Sequence, residues 1–219
     1  MILLFLFFLE LLVLYFLAKK IQQIIFSLFL RVTRRKNWAV YLTAILFAPG
    51  TFFHEMSHFL SALFLLVPVG HLRLLPEVRE DEIKLGSVGI GKTDPIRRFL
   101  IGVAPFIIGT LTILVVIHLA LDNKLIENVW TVALLGYVVF EIGNTMFASK
   151  KDLEGALGLL IFIILVYLLT LLLGINVDFS FLGDILTSIY IKDLLVTATV
   201  FLVFPLVIDT VIITILRFI

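Results

Sequence analysis

Apolar runs about as long as a bilayer is thick dominate the chain, and polar residues fall in short clusters between them. A helix needs roughly 20 apolar residues to cross the hydrocarbon core. On that measure the pattern predicts a first span over residues 2–18, ended by Lys19-Lys20. It lacks a basic start and a small-residue cleavage site and carries Glu10 in its middle, as expected of a retained helix and not a signal peptide. Residues 21–38 mix apolar positions with Gln22, Gln23, Arg31, Arg34, Arg35 and Lys36, the pattern of a helix lying in the interface. An apolar stretch from Ala39 to Val69 follows, interrupted by Pro49-Gly50, and residues 70–94 are polar. Further spans are predicted over 96–119, 129–147, 153–173 and 194–216.

The polar stretch has its own pattern. Two short pieces of alternating character, His71–Leu75 and Ile83–Ile90, flank the charged turn 77–82 and predict a β-hairpin. Asp94-Pro95 then predicts an N-cap followed by proline at the first helical position. With no internal repeat and no low-complexity linker, the expectation is an all-α polytopic membrane protein of about six transmembrane helices with a small β-hairpin loop. It forms a single membrane-embedded domain over 1–219: an N-terminal helix and interfacial segment (1–37), a core (38–173) and C-terminal helices (174–219).

Composition agrees with a multi-pass integral membrane protein whose surroundings are the lipid bilayer. The chain is 62% hydrophobic and 15% charged, with mean hydropathy +1.20, far more apolar than a soluble domain. Its net charge of +1 gives no global attraction to nucleic acid, which is not expected as a partner. Without cysteine there is neither a disulfide nor a thiolate metal site.

Within the Ala39–Val69 stretch lies His54-Glu55-Met56-Ser57-His58. Four-residue spacing puts both imidazoles on one helix face, where neutral nitrogens can converge on one Zn²⁺, and Glu55, about 100° around the helix, stands beside them as a general base for a zinc-activated water. A structural alternative is that both histidines pair with neighbouring helices. Three ionisable groups within one turn at membrane depth are costly, however, and such groups are by default functional. Two histidines leave a catalytic zinc one protein ligand short. Glu10, Glu141, Asp152, Glu154 and Asp209 are the carboxylate candidates, with His71 and His118 as nitrogen alternatives.

Here the chain resembles the site-2 protease family of intramembrane zinc metalloproteases, which carry an FHExxH helix and, later, an Asn-x-x-Pro-x-x-x-x-Asp-Gly element. Phe53-His54-Glu55-Met56-Ser57-His58 matches the first, and Asn144 to Asp152 keeps the Asn-to-Asp step of the second. Phe147 stands where the family has proline, Leu153 where it has glycine, and Ala104-Pro105 lacks the usual neighbouring Gly and Asn. The resemblance implies one zinc per chain held by His54, His58 and Asp152, with Glu55 catalytic and Asn144 orienting the substrate. Asp152 could instead cap the following helix in Ser149-x-x-Asp152, and Asn144 could serve as an interhelical hydrogen bond. The family uses a re-entrant hairpin beside its zinc. Residues 83–90, with Gly86 and Val88, are therefore the candidate strand on which an extended substrate would pair, the alternative being a plain connector.

The function expected is zinc-dependent endoproteolysis of a membrane-protein substrate within its transmembrane helix. The alternatives are a catalytically silent adaptor for transmembrane segments and a metal-handling transporter, for which the paired broken helices or repeat are missing. Basic residues bear on orientation. If Ala39–Val69 crosses once, the two faces carry 8 and 9 of the 17 Lys and Arg; if Pro49-Gly50 turns it back, the split is 15 to 2. The expectation places residues 70–98, and the active site near them, towards the cytoplasmic face, as the resemblance also implies. Oligomeric state has no signal in the sequence.

Overall fold

The computed structural model describes residues 2–73, 76–78, 83–84, 86–147, 161, 164–170, 172–173 and 188–216. The fold is mostly helical. Its helices are α1 (Ile2–Thr33), α2 (Lys36–Leu46), α3 (Ala48–Phe64), α4 (Pro95–Asp122), α5 (Val129–Thr145) and α6 (Ile189–Leu216). Among the described residues three helices, α1, α4 and α6, are long and apolar enough to cross a membrane, and α5 is a shorter apolar helix. The predicted span 153–173 falls largely outside the described residues.

Where a span and an interfacial helix were predicted, α1 runs unbroken through Lys19-Lys20. It contains neither glycine nor proline, and its buried stripe of Leu11, Leu14, Ala18, Ile21 and Ile25 keeps helical spacing across the lysines, which lie on the exposed side. The helix ends at Arg34, whose φ of 54 turns the chain into α2.

The stretch from Ala39 bends at a single residue. Phe47 (φ -90, ψ 10) separates α2 from α3, while Phe47 N still donates to Thr43 O (3.0 Å) and Thr51 N to Phe47 O (2.8 Å). Proline inside a helical run removes one donor and crowds the preceding turn. Here Pro49 has no N–H for Ile45 O, and Gly50 N and Leu46 O, which would pair in an unbroken helix, both bond to α5 instead. Glu141 Oε2 accepts from Gly50 N at 3.0 Å, and the Tyr137 hydroxyl donates to Leu46 O at 3.2 Å.

Helix directions follow from which residues meet. Leu11 and Leu14 share a core cluster with Leu202, and Ile21 and Ile25 one with Ile213, so α1 and α6 run in the same direction. Phe47 stacks on Phe140 (5.9 Å) while Gly50 abuts Glu141 and Thr145, so α3 and α5 also run together. Asn144 bonds Asp209, and Phe140 clusters with Ile213 but Met146 with Leu202, which sets α5 against α6. Gly109 abuts Met146 while Ile113 and Ile117 cluster with Val139 and Ile142, setting α4 against α5. Thus α1, α4 and α6 point one way and α3 and α5 the other.

The predicted hairpin forms as two nested ladders. Val69–Arg73 (β1) pairs antiparallel with Ser87–Ile90 (β4), with Leu72 opposite Val88 and an irregularity between Val69 and Leu72; Glu77–Val78 (β2) pairs with Ile83–Lys84 (β3). The predicted cap also forms. Asp94 Oδ1 accepts from Arg97 N at 3.0 Å, and that bond holds its carboxyl below the usual range.

Gly50 is where α3 and α5 touch most closely. A Cβ there would lie 2.6 Å from Glu141 O and 2.6 Å from Thr145 Oγ1. Gly50→Ala is expected to lower stability by about 1–3 kcal/mol through overpacking. Gly136→Ala, on the same helix pair's α5 but with nothing within 4 Å of its new methyl, is expected to be neutral or to gain up to about 1 kcal/mol from helix propensity. Thermal unfolding of the two variants in detergent checks this, and equal behaviour would contradict the close approach.

Candidate metal centre

The motif occupies the second and third turns of α3, a helix begun by Ala48 and Pro49 and fixed at its start by Glu141. Glu55 and His58 are buried, and His54 is half-buried. His54 Nε2 and His58 Nε2 face each other at 3.2 Å, with the rings edge to face (interplanar 86°). On its other side His58 Nδ1 lies 2.7 Å from the carbonyl oxygen of Ile101 in α4. A carbonyl has no proton to give, so Nδ1 carries the hydrogen, and in the neutral form of the ring Nε2 is then the lone-pair nitrogen on the side of His54.

This pair fits a zinc ion. Zinc–nitrogen bonds of about 2.0–2.1 Å at a tetrahedral angle place two ligand nitrogens roughly 3.3 Å apart, close to the separation between the two Nε2 atoms. The bond from Nδ1 to a carbonyl is the usual support of a metal-ligating histidine, since it fixes tautomer and ring orientation together. Among the described residues no third His, Asp or Glu joins the two histidines in a group able to hold a metal. Of the other candidates, Glu141 bonds Gly50 N, Asp209 bonds Asn144, and His118 meets Asp122 at 3.2 Å on an exposed turn of α4. Asp152, the expected third ligand, lies outside the described residues.

The hairpin sits on the motif helix. At Gly86 a Cβ would come within 2.7 Å of Thr51 Cγ2 and 3.0 Å of Glu55 Cγ. The inner face of the hairpin at Gly86 is thus filled by α3 itself. Val88, next but one on the same face of the strand, is half-buried and lies opposite Leu72. Since β1–β4 is a two-stranded sheet, one edge of β4 has no strand partner among the described residues.

Asn144 is not a lone amide. Its Nδ2 donates to Asp209 Oδ1 (2.8 Å) and to Phe140 O (2.9 Å), and its carbonyl oxygen accepts from Gln22 Nε2 (2.9 Å). Three helices, α1, α5 and α6, meet there. Asn144 and Asp209 are almost wholly buried, and Asn144 Oδ1 and Asp209 Oδ2 have no partner among the described residues. Sequence reasoning had Asn144 but not its partners: Gln22 is 122 positions away and Asp209 is 65 away, with no local pattern linking them. The same holds for the Ile101 carbonyl, for which backbone chemistry gives no residue-type signal.

No family model matches the chain, and no curated protein or solved structure matches it either.

The bonds around Asn144 generate a test. Asn144→Ala removes the donor that faces Asp209 and is expected to cost about 1–3 kcal/mol, the penalty of leaving a buried acceptor unmet, with metal content unchanged. Thermal unfolding together with metal analysis decides it; unaltered stability would return Asn144 to a substrate-orienting role alone.

Proposed function

We propose that the protein is an intramembrane zinc endopeptidase that cleaves a membrane-protein substrate within its transmembrane segment. The observation that carries this reading is the pair of imidazole Nε2 atoms at 3.2 Å, one of them aimed by the Ile101 carbonyl, beside a buried glutamate one residue along the helix. His54 and His58 would hold the zinc together with Asp152, the last on the strength of the site-2 protease resemblance. Bound there, zinc would polarise the scissile carbonyl and acidify water.

The residues of the chain do the rest. Glu55 accepts a proton from the attacking water and returns it to the leaving amide nitrogen, so that one water is added across the peptide bond. Burial of the motif limits competing solvent, and β4 offers main-chain groups along its free edge to a substrate drawn out into a strand. Because Gly86, just before β4, is laid on Thr51 and Glu55 of α3, a substrate strand would join at the edge and not slip between hairpin and helix.

The opposed directions of α1 and α3 support a single, bent crossing by Ala39–Val69, since a re-entrant hairpin would leave the two pointing the same way. With α1 and α6 parallel, we infer that α1, α2–α3, α4, α5 and α6 each cross, while the predicted span 153–173 falls largely outside the described residues. The basic residues then divide 8 to 9, which favours neither face. Placement of the hairpin and metal centre towards the cytoplasm therefore follows the family resemblance, and the N-terminus joins them there.

The purified protein is expected to carry about one zinc per chain. His54→Ala or His58→Ala should lose it, while Glu55→Gln should keep it and abolish cleavage of a transmembrane substrate. Asp152→Asn should weaken zinc binding and cut turnover by orders of magnitude, with Ser149→Ala having little effect. Metal-free wild-type protein prepared without chelators would overturn the reading. Zinc bound without cleavage of any transmembrane substrate would favour the silent adaptor.

A further inference from the structure

Pro105 lies inside α4, four residues after Ile101. In an unbroken helix the N–H of residue 105 would donate to the Ile101 carbonyl, but proline has no N–H, and its ring pushes against the carbonyl one turn back. That carbonyl is therefore left without its regular helical donor, in a buried part of the bundle: Ile101 is 1% exposed, and Pro105 is among the most deeply buried residues. Its partner is the ring of His58, whose Nδ1 lies 2.7 Å away. A buried carbonyl seeks a donor, and a ligating histidine needs an acceptor for its second nitrogen. Each group satisfies the other.

We propose that Pro105 is a positioning residue for the metal centre: by denying Ile101 its helical hydrogen bond, it presents that carbonyl to His58 and so fixes the ring with Nε2 facing His54. Pro105 touches neither metal nor substrate in this role, and acts only through the Ile101 carbonyl. The inference deepens the zinc reading and rests on it for its consequence in metal affinity, but its geometric half concerns the His58 ring alone. Ser57, the neighbouring polar residue, spends its hydroxyl on Phe53 O at 2.8 Å.

Pro205 is an internal control. It too lies inside an apolar helix, α6, and is fully buried, yet it packs towards Gly143 of α5 and not towards the histidines. Pro105→Ala and Pro205→Ala each restore one backbone N–H to a membrane helix, and only the first does so opposite His58.

Two measurements test the proposal on the full chain in detergent. In metal-free protein, ¹⁵N spectra of histidine-labelled samples report which nitrogen of His58 is protonated, with His58→Gln providing the assignment. Wild type and Pro205→Ala are expected to show the Nδ1–H form, and Pro105→Ala a mixture of forms. Zinc affinity, measured by chelator competition, is expected to fall about 10–100-fold in Pro105→Ala, the usual cost of losing a ligand's supporting bond, and to stay at the wild-type value in Pro205→Ala. Pro105→Ser, which also restores the N–H, should repeat the loss should Pro105→Ala fold poorly. An unchanged His58 spectrum in Pro105→Ala, or a zinc affinity equal to wild type, would overturn the inference. An equal loss in Pro205→Ala would overturn it as well, since the effect would then be general to the bundle. Wild-type protein that binds no zinc would sink the enzyme reading, while the spectra would still decide the role of Pro105.

Discussion

The bend at Phe47 leaves Gly50 N and Leu46 O without each other, in a part of the bundle where water is scarce, and an unmet backbone group there costs several kcal/mol. Two side chains one turn apart on α5 meet this demand: Glu141 takes the N–H and Tyr137 serves the carbonyl. An acidic group at a helix start also opposes the positive end of the helix dipole. The mend works only at close range, which is why Gly50 has no room for a Cβ. Once α3 is fastened to α5 in this way, the height and rotation of His54, Glu55 and His58 are set, because all three ride on the same rigid helix.

The interior follows the same rule elsewhere. Prolines interrupt α4 and α6 as well as the start of α3, and polar side chains gather where main-chain or amide groups need partners. Gln22, Asn144 and Asp209 tie α1, α5 and α6 together, while His58 reaches α4. Ionisable residues at membrane depth invite a functional reading first. For Glu141 and Asp209 the contacts instead describe fasteners, whereas the histidine pair brings two Nε2 atoms to a separation of metal-site size.

Local pattern made several features legible. Asp94-Pro95 reads as a cap because the capping bond spans only three residues, and the hairpin reads from alternation and its charged turn. Helix identity over 96–119, 129–147 and 194–216 comes from apolar length. Other features depend on contacts distant in the chain. The continuity of α1 past Lys19-Lys20 is decided by which side of the helix its neighbours cover, since lysines on an exposed face do not end a helix. The direction of α6 relative to α1 is set by Leu202 and Ile213, and no span count reveals it. Likewise the motif's spacing identifies His54 and His58 as a pair, but the Ile101 carbonyl that orients one of them belongs to the backbone, which every residue possesses.

Glycine links the hairpin to this chemistry. Gly86 is laid on Thr51 and Glu55, and Gly70 and Gly89 approach each other across the β1–β4 ladder, a Cβ on Gly89 coming within 3.4 Å of Gly70 Cα. Small residues let a strand lie flat on a helix at the cost of a more flexible, weaker strand. On the protease reading that trade has a direction. The hairpin gains closeness to Glu55 by giving up the room on its inner face, so an incoming chain would meet β4 at the edge that has no strand partner among the described residues, near the turn of α3 that carries the motif. Hairpin, glutamate and histidine pair then form one surface, whose spacing is governed by the bend at Phe47 from which α3 begins.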